Sequence, residues 1–177
     1  MGSEMCIRDR GYSAPPFRFK TSGWTGPAVV GLTYEGLSWF TGATVMLGAL
    51  PSAQVLIVVV LYSLGAHGIM TLNDFKAVEG DRATGLNSLP VIMGVSRAAR
   101  FACLVMAAAQ IVVVTLLAVW GLTISAALVG LVLVAQLAAM PRLLSNPAKF
   151  APWYNAVGVL LYVLGMLAAA LGLGGYI

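Results

Sequence analysis

Five long apolar stretches constrain this chain more than any other feature of its sequence. Crossing the hydrocarbon layer of a bilayer takes roughly 20 apolar residues in a helix. The stretches that qualify are residues 25–50, 53–72, 100–120, 123–140 and 153–173. Charged residues make up 9% of the chain, against roughly 25% in soluble domains. The sequence therefore predicts an all-α, multispanning transmembrane helix bundle with five spans and excludes an ordinary soluble domain.

The basic residues are distributed unevenly among the connections between these stretches. After residue 10 they fall in or at the edge of segments 11–23, 73–99 and 141–151: Arg18, Lys20, Lys76, Arg82, Arg97, Arg100, Arg142 and Lys149. The connections near Pro51 and Gly121 carry none. Because cytoplasmic loops are enriched in Lys and Arg, these three segments are predicted to be cytoplasmic, with the C-terminus on the opposite side.

The N-terminal residues, the pattern of basic residues and the two cysteines further restrict the class of protein. Residues 1–10 are polar and lack the apolar core of a signal peptide, so we interpret them as an artefactual leader and residues 11–177 as a partial membrane domain. No basic stripe with interleaved aromatic residues is present, which argues against nucleic acid as a partner. Membrane lipids are the predicted surroundings. The two cysteines, Cys6 and Cys103, predict neither a disulfide framework nor a thiolate metal site.

An acidic cluster follows the second apolar stretch, in the sequence NDFKAVEGDR. Asp74, Glu79 and Asp81 are three of the six acidic residues in the chain. Charged groups near membrane depth are costly unless they are paired or bind a metal, so this cluster is a candidate functional site. The alternative is that these acids only neutralise Lys76, Arg82 and nearby lipid headgroups in a solvated loop.

The spacing of the cluster suggests what it binds. If the second span continues as a helix, Asp74 and Asp81 lie two turns apart on one face. Such a pair suits Mg²⁺, which is commonly held by one or two carboxylates and the phosphate oxygens of a substrate. Lys76 and Arg82 would then face the phosphate. The connection 73–99 also contains an apolar patch, SLPVIMG, predicted to fold over the membrane face, where the cationic segment YSAPPFRFK can converge with it.

Several polar residues inside or beside the spans are further candidates. Glu35 is interpreted as a cavity residue because an unpaired carboxylate within a span is expensive. His67 lies seven residues before Asp74 and either contacts a substrate or forms a hydrogen bond within the bundle. Tyr154 and Asn155 open the last span on the predicted cytoplasmic side, where they can contact a substrate. Gln110 and Gln136 are predicted to form hydrogen bonds between helices.

The cluster and its surroundings resemble a known family. NDFKAVEGDRATGLNSLPV is similar to the second aspartate-rich motif of the UbiA-type intramembrane aromatic prenyltransferases. Together with LGAHGIMTLNDFKAVEGDR, the stretches YSAPPFRFK, TYEGLSW and PWYNAVGVLLYVLGM resemble the chlorophyll and bacteriochlorophyll synthase branch over nearly all of residues 11–177.

This resemblance implies a nine-span bundle, of which this chain supplies the last five, in the inner membrane of the cell. It implies Mg²⁺ at Asp74, Asp81 and Glu79, catalytic roles for these two aspartates with Lys76 and Arg82, and a diphosphate site at Tyr12, Arg18, Lys20 and Asn73. The implied pigment pocket contains Glu35, His67, Tyr154 and Asn155. Many relatives carry an acid at the position of Ala77, and the first motif, N-x-x-x-D-x-x-x-D, is absent here. The fragment alone is therefore expected to be inactive.

The reaction that the resemblance implies joins geranylgeranyl or phytyl diphosphate to the propionate of bacteriochlorophyllide and releases diphosphate. Other proteins of the pigment pathway are possible partners. A chlorophyll synthase, or a prenyltransferase with another aromatic acceptor, is the alternative within the same superfamily. A pigment scaffold or transporter is the alternative from a different class, but it would not explain two cationic loops beside an aspartate pair.

Overall fold

The computed structural model describes residues 12–177, and the predicted leader at residues 1–10 lies outside them. Seven helices in the described part form the protein, and no strand is present there. Helix α1 covers residues 25–47 as three consecutive segments, Thr25–Val30, a π-helical Gly31–Leu37 and Ser38–Leu47. The others are α2 (Ala53–Asn73), α3 (Val78–Thr84), α4 (Leu89–Met93), α5 (Val95–Val119), α6 (Thr123–Ser145) and α7 (Pro147–Leu173). The predicted all-α class is confirmed.

Four helices in the described part are long and apolar enough to cross a membrane. They are α2 with the turn that follows it, α5, α6 and α7. The first predicted span corresponds to α1, whose helix is divided by the π-helical segment, and it is not among these four. The predicted bundle is therefore present, but its first helix, α1, is irregular. π-helical turns occur mostly as local insertions near functional sites.

The connection predicted at residues 141–151 is helical for most of its length, so its predicted bounds were wrong. Helix α6 continues through Pro141 to Ser145, and α7 begins at Pro147, with Asn146 as the non-helical residue between them. The Asn146 side chain accepts a hydrogen bond from the Lys149 backbone N–H at 3.1 Å. Proline suits the first position of a helix and asparagine suits the cap, which explains why the link is so short.

Helix α2 lies at the centre of the bundle and contacts α1, α5 and α7. Its buried small residues, which include Gly65, Ala66 and Gly68, allow close approaches. A Cβ atom on Gly68 would lie 2.6 Å from the backbone oxygen of Ala102 in α5. Packing of this kind replaces the hydrophobic effect as the force that holds helices together in lipid.

Two buried polar contacts join the helices at mid-depth. The Gln110 side chain of α5 donates a hydrogen bond to the Gln136 side chain of α6, and both residues are fully buried. The Tyr162 hydroxyl of α7 donates to the Tyr62 backbone oxygen of α2 at 3.0 Å. The predicted interhelical role of the two glutamines is confirmed.

The loop before α1 docks on the connection between α2 and α5. The Gly23 N–H donates to the Asn87 oxygen at 2.7 Å, and the Asn87 N–H donates to the Thr21 oxygen at 3.2 Å. Leu89 and Pro90, in the predicted apolar patch, are buried at the start of α4. The predicted convergence of the two loops is thus confirmed, and we call this end of the bundle the loop end.

The glutamine pair gives a first prediction. Gln110→Leu should lower the free energy of unfolding by about 1 kcal/mol, because it leaves the Gln136 amide buried without its partner. Gln110→Leu combined with Gln136→Leu should recover part of this loss. Unfolding of the purified chain in mixed detergent micelles measures both, and the exposed Gln54→Leu is the matched control. Strictly additive losses in the double variant would contradict an interaction between the two amides.

The docked loops give a second prediction. A Cβ atom on Gly23 would lie 2.5 Å from the Leu89 backbone nitrogen and 2.7 Å from the Asn87 oxygen, so Gly23→Ala must separate the two loops. We expect faster hydrogen exchange at the amides of Gly23 and Asn87 in detergent. Gly42→Ala is the control, since its Cβ would meet nothing within 4 Å. Unchanged exchange in Gly23→Ala would show that the loops are held together by other contacts.

Candidate active site

The acidic cluster lies where the backbone of α2 changes course. Helix α2 ends at Asn73, a 3₁₀ turn covers Asp74–Lys76, and Ala77 (φ −109°, ψ 1°) precedes α3. The expected continuous helix through the cluster is therefore wrong. Asn and Asp side chains compete with the helical backbone for hydrogen bonds, which favours an end at this point. Asp74 and Asp81 consequently belong to two different elements.

The two aspartates nevertheless face one cavity of about 240 Å³ at the loop end. Several predicted site residues line it together: Tyr12, Lys20, Asn73, Asp74 and Asp81. Tyr12 and Lys20 come from the loop before α1, which the hydrogen bonds to Asn87 hold in place. The shared cavity, rather than a shared helical face, brings the predicted aspartate pair together.

The cavity also contains residues that sequence reasoning missed. Met70, one helical turn before Asp74, and Val30 of α1 form its apolar part, so the cavity extends toward the membrane interior. Ser88 lines it too, is 8% exposed, and its hydroxyl has no hydrogen-bond partner in the described part of the chain. The position of Met70 four residues before Asp74 was a usable signal for its part in the cavity. Nothing in the sequence singled out Ser88.

The charges in this cavity act on Tyr12. Burial raises the pKa of the Tyr12 hydroxyl above its usual value, and the negative charges of Asp74 and Asp81 raise this pKa further. The hydroxyl therefore stays protonated at neutral pH and is available as a hydrogen-bond donor. Lys20 adds a positive charge to the cavity lining. The cavity thus combines two carboxylates with a cation and neutral donors.

Only two of the three predicted metal ligands line the cavity. Asp74 and Asp81 share the cavity, whereas Glu79 is exposed and does not line it. No group of three or more His, Cys, Asp or Glu side chains suited to a metal ion occurs within residues 12–177. A carboxylate pair still fits Mg²⁺, which commonly takes one or two protein carboxylates and completes its shell with water and phosphate oxygens. The partnerless Ser88 hydroxyl is consistent with a ligand there.

The predicted cationic residues are divided between different places. Arg82 and Arg18 are exposed and do not line the cavity, and Arg18 occupies the left-handed region (φ 39°) at a turn before Lys20. Lys76 instead lines a second cavity of about 180 Å³ beside the first. The prediction that Lys76 and Arg82 face the same phosphate as the aspartates is therefore not supported, since the break at Ala77 turns the two side chains away from a common face.

Asn155 also lines the second cavity, next to Asn73. Its side-chain N–H donates to the Asn73 side-chain oxygen at 2.6 Å and so joins α7 to the end of α2. Tyr154, the neighbouring predicted pocket residue, is fully buried in the core beside Cys103 and lines neither cavity. Successive helical residues point about 100° apart, which explains why the two differ.

Glu35 and His67 lie away from the aspartates. Glu35, in the π-helical segment, is half-buried in an apolar groove with Trp39, Met166 and Leu167. The His67 Nε2 donates to the Trp24 backbone oxygen at 3.0 Å, and its ring packs edge-on against Phe101. The bundle hydrogen bond expected as the alternative for His67 is confirmed. Neither residue shares a cavity with Asp74, so the predicted pigment pocket does not form one site here.

Comparison with known proteins relates the chain to one family. The UbiA prenyltransferase family matches residues 10–156. The chain is 57% identical to the bacteriochlorophyll synthase 33 kDa chain of Cereibacter sphaeroides, over 93% of this chain and 54% of that protein. It is 44% identical to the 34 kDa chain of Chloroflexus aurantiacus, over 92% and 52%.

A more distant relative is the chloroplastic chlorophyll synthase of Oryza sativa, at 36% identity over 90% of this chain and 42% of that protein. No solved structure matches. The chain spans about half the length of the bacteriochlorophyll synthase chains that it matches. The family match covers most of the helices and the whole aspartate cavity, and the chain belongs to the UbiA prenyltransferase family.

Proposed function

We propose that the protein containing this chain esterifies the propionate of bacteriochlorophyllide with geranylgeranyl or phytyl diphosphate and releases diphosphate. The observation that carries the proposal is the cavity in which Asp74 and Asp81 face Lys20 and Tyr12. The high identity to proteins named bacteriochlorophyll synthase supports the choice of acceptor. The reaction forms a bond between a carboxylate oxygen and the allylic carbon while the bond from that carbon to diphosphate breaks.

We propose Asp74 and Asp81 as the residues that would hold Mg²⁺. When bound there, Mg²⁺ would neutralise the negative charge that gathers on the departing diphosphate, a contribution of several kcal/mol. Lys20 adds a positive charge for the same phosphate oxygens, and the protonated Tyr12 hydroxyl donates a hydrogen bond. The Ser88 hydroxyl provides a further donor. Negative charge gathers on the diphosphate as the bond breaks. These residues therefore stabilise the transition state more than the bound substrate.

The apolar part of the cavity suits the isoprenoid chain of the prenyl diphosphate. Val30 and Met70 carry the cavity toward the membrane interior, where an isoprenoid chain is stable. Each buried methylene contributes about 0.8 kcal/mol, so a long isoprenoid chain stays in lipid and enters from the side. An apolar wall also keeps water away from the allylic carbon as it becomes positively charged. Both substrates are therefore taken from the membrane.

The basic residues at the loop end support a cytoplasmic active site in the inner membrane, with the C-terminus on the other side. Residues 11–177 alone are proposed to be inactive, because the resemblance places the remaining diphosphate ligands in the first aspartate-rich motif, which this sequence does not contain. The relationship to chlorophyll synthases makes chlorophyllide the alternative acceptor. Assays that offer each pigment with each prenyl diphosphate decide between the two.

The aspartate pair gives a third prediction. Asp74→Asn and Asp81→Asn in the complete protein should each lower esterification roughly 100-fold, the equivalent of about 3 kcal/mol of lost transition-state stabilisation. Pigment esterification in isolated membranes measures this loss, and helical content with gel-filtration elution verifies the fold. Glu79→Gln distinguishes a metal site with three carboxylate ligands from one with the two aspartates alone. If Glu79 is a ligand, this variant should lose a comparable amount of activity. The cavity geometry, which excludes Glu79, predicts near-normal turnover. Normal turnover in both aspartate variants would refute the proposal.

The metal gives a fourth prediction. Chelation with EDTA should abolish esterification in membranes, and added Mg²⁺ should restore it. In Asp81→Asn the Mg²⁺ concentration for half-maximal activity should rise about tenfold or more, because one carboxylate ligand is lost. Lys20→Met should lower the rate without changing this concentration by more than about twofold. Activity that persists after chelation would contradict a metal at the pair.

A further inference from the structure

The second cavity lies beside the first and shares a wall with it. Asn73, at the end of α2, lines both, so the two spaces are neighbours. The other residues of the second cavity come from the end of α2, the turn after it and the first turns of α7: Leu72, Phe75, Lys76, Ala148, Ala151, Pro152 and Asn155. A group bound here would lie next to whatever the aspartate cavity holds.

The two cavities have opposite electrostatic character. Two aspartates line the first, whereas no acidic side chain lines the second, where Lys76 is the charged residue. Lys76 forms no ion pair within residues 12–177. A lysine ammonium ion beside neutral amides attracts an anion. Because no carboxylate lines this cavity, no acidic side chain there competes with a bound anion for Lys76.

The asparagine pair adds donors to the same space. Because the Asn73 side-chain oxygen accepts the hydrogen bond from Asn155, its own amide N–H groups remain available to donate. Asn155 uses one of its two N–H groups in that bond and keeps the other. The polar groups of the second cavity are therefore mainly donors, which is the arrangement that a carboxylate requires.

We propose that the second cavity binds the carboxylate arm of the acceptor, with Lys76 as its ion-pair partner. This inference rests on the proposed function and specifies where its second substrate lies. A volume of about 180 Å³ accommodates a propionate-sized group, since a water molecule takes roughly 30 Å³. The apolar residues Leu72, Phe75 and Pro152 contact the methylenes of the arm, and the macrocycle stays outside at the membrane boundary.

The arrangement is consistent with a balanced reaction. One oxygen of the acceptor carboxylate donates an electron pair to the allylic carbon and forms the ester bond. The bond from that carbon to diphosphate breaks, and its electron pair leaves with the diphosphate in the first cavity. The carboxylate of the acceptor is already ionised, so no proton is transferred in this step. Asn73, between the cavities, holds the two reacting groups in adjacent positions.

The experiment compares Lys76 with Lys20 in the complete protein. Lys76→Met should raise KM for bacteriochlorophyllide about tenfold, the loss of about 1.4 kcal/mol of binding. Its KM for the prenyl diphosphate should stay within about twofold of the unmodified protein. Lys20→Met should show the reverse pattern, and Lys76→Arg should retain most of the acceptor affinity because it keeps the charge.

A second probe tests the carboxylate directly. The methyl ester of bacteriochlorophyllide lacks the anionic group, so as a competitive inhibitor it should bind the unmodified protein and Lys76→Met equally well. Asn155→Asp, which places an acid in the second cavity, should raise the acceptor KM as Lys76→Met does. Lys76 is exposed, so Lys76→Met and Lys76→Arg preserve the fold. Asn155→Asp removes the hydrogen bond to Asn73, so gel-filtration elution and helical content are measured for this variant as well.

Three outcomes would overturn the inference. An increase in KM for the prenyl diphosphate in Lys76→Met would place Lys76 on the donor, and an unchanged acceptor KM would leave it without a role in recognition. Weaker binding of the methyl ester would show that Lys76 supports the macrocycle rather than the carboxylate. Failure of the proposed function itself is separate, since it would appear as normal turnover in Asp74→Asn and Asp81→Asn.

Discussion

The structure depends on the requirement that backbone N–H and C=O groups within a bilayer find partners inside the protein. Helix α2 meets it over Ala53–Asn73, where its own glycines let α5 and α7 approach closely and glycines of α1 let that helix pack on α2. Where the apolar stretch ends, water and headgroups can satisfy the backbone, and the chain is free to turn. The break from Asn73 to Ala77 occurs at this boundary, and the aspartate cavity is built around it.

The bundle could be predicted from the sequence because apolar length and small residues at helix contacts are local signals. The convergence of the two loops at the loop end followed from the distribution of basic residues. That Gln110 and Gln136 form hydrogen bonds between helices could also be predicted, whereas their pairing with each other is seen only in the structure. The connection at 141–151 was predicted because this segment separates two apolar stretches and carries Arg142 and Lys149. Pro141 is tolerated within α6, and Pro147 begins α7.

The site was harder to predict, since it depends on where a helix stops. A helix continued through Asp74 would have aligned His67, Asp74 and Asp81 on one face. His67 instead lies outside the cavity and is hydrogen-bonded to the Trp24 backbone oxygen, and Lys76, in the 3₁₀ turn, lines the second cavity. The aspartates remain together because α3 folds back toward the docked loop. Tyr154 and Asn155 differ in burial because the packing of α7 on α2 selects which of two adjacent side chains faces the asparagine.

The short link between α6 and α7 has a consequence for how the site assembles. With Asn146 as the non-helical residue between them, and with Arg142 packed 4.3 Å from the centre of the Trp153 ring, the two helices form a tight antiparallel hairpin. Asn155 therefore meets Asn73 only where this hairpin packs on α2. The wall that both cavities share thus depends on the seating of two helices whose own sequences carry none of the acidic residues.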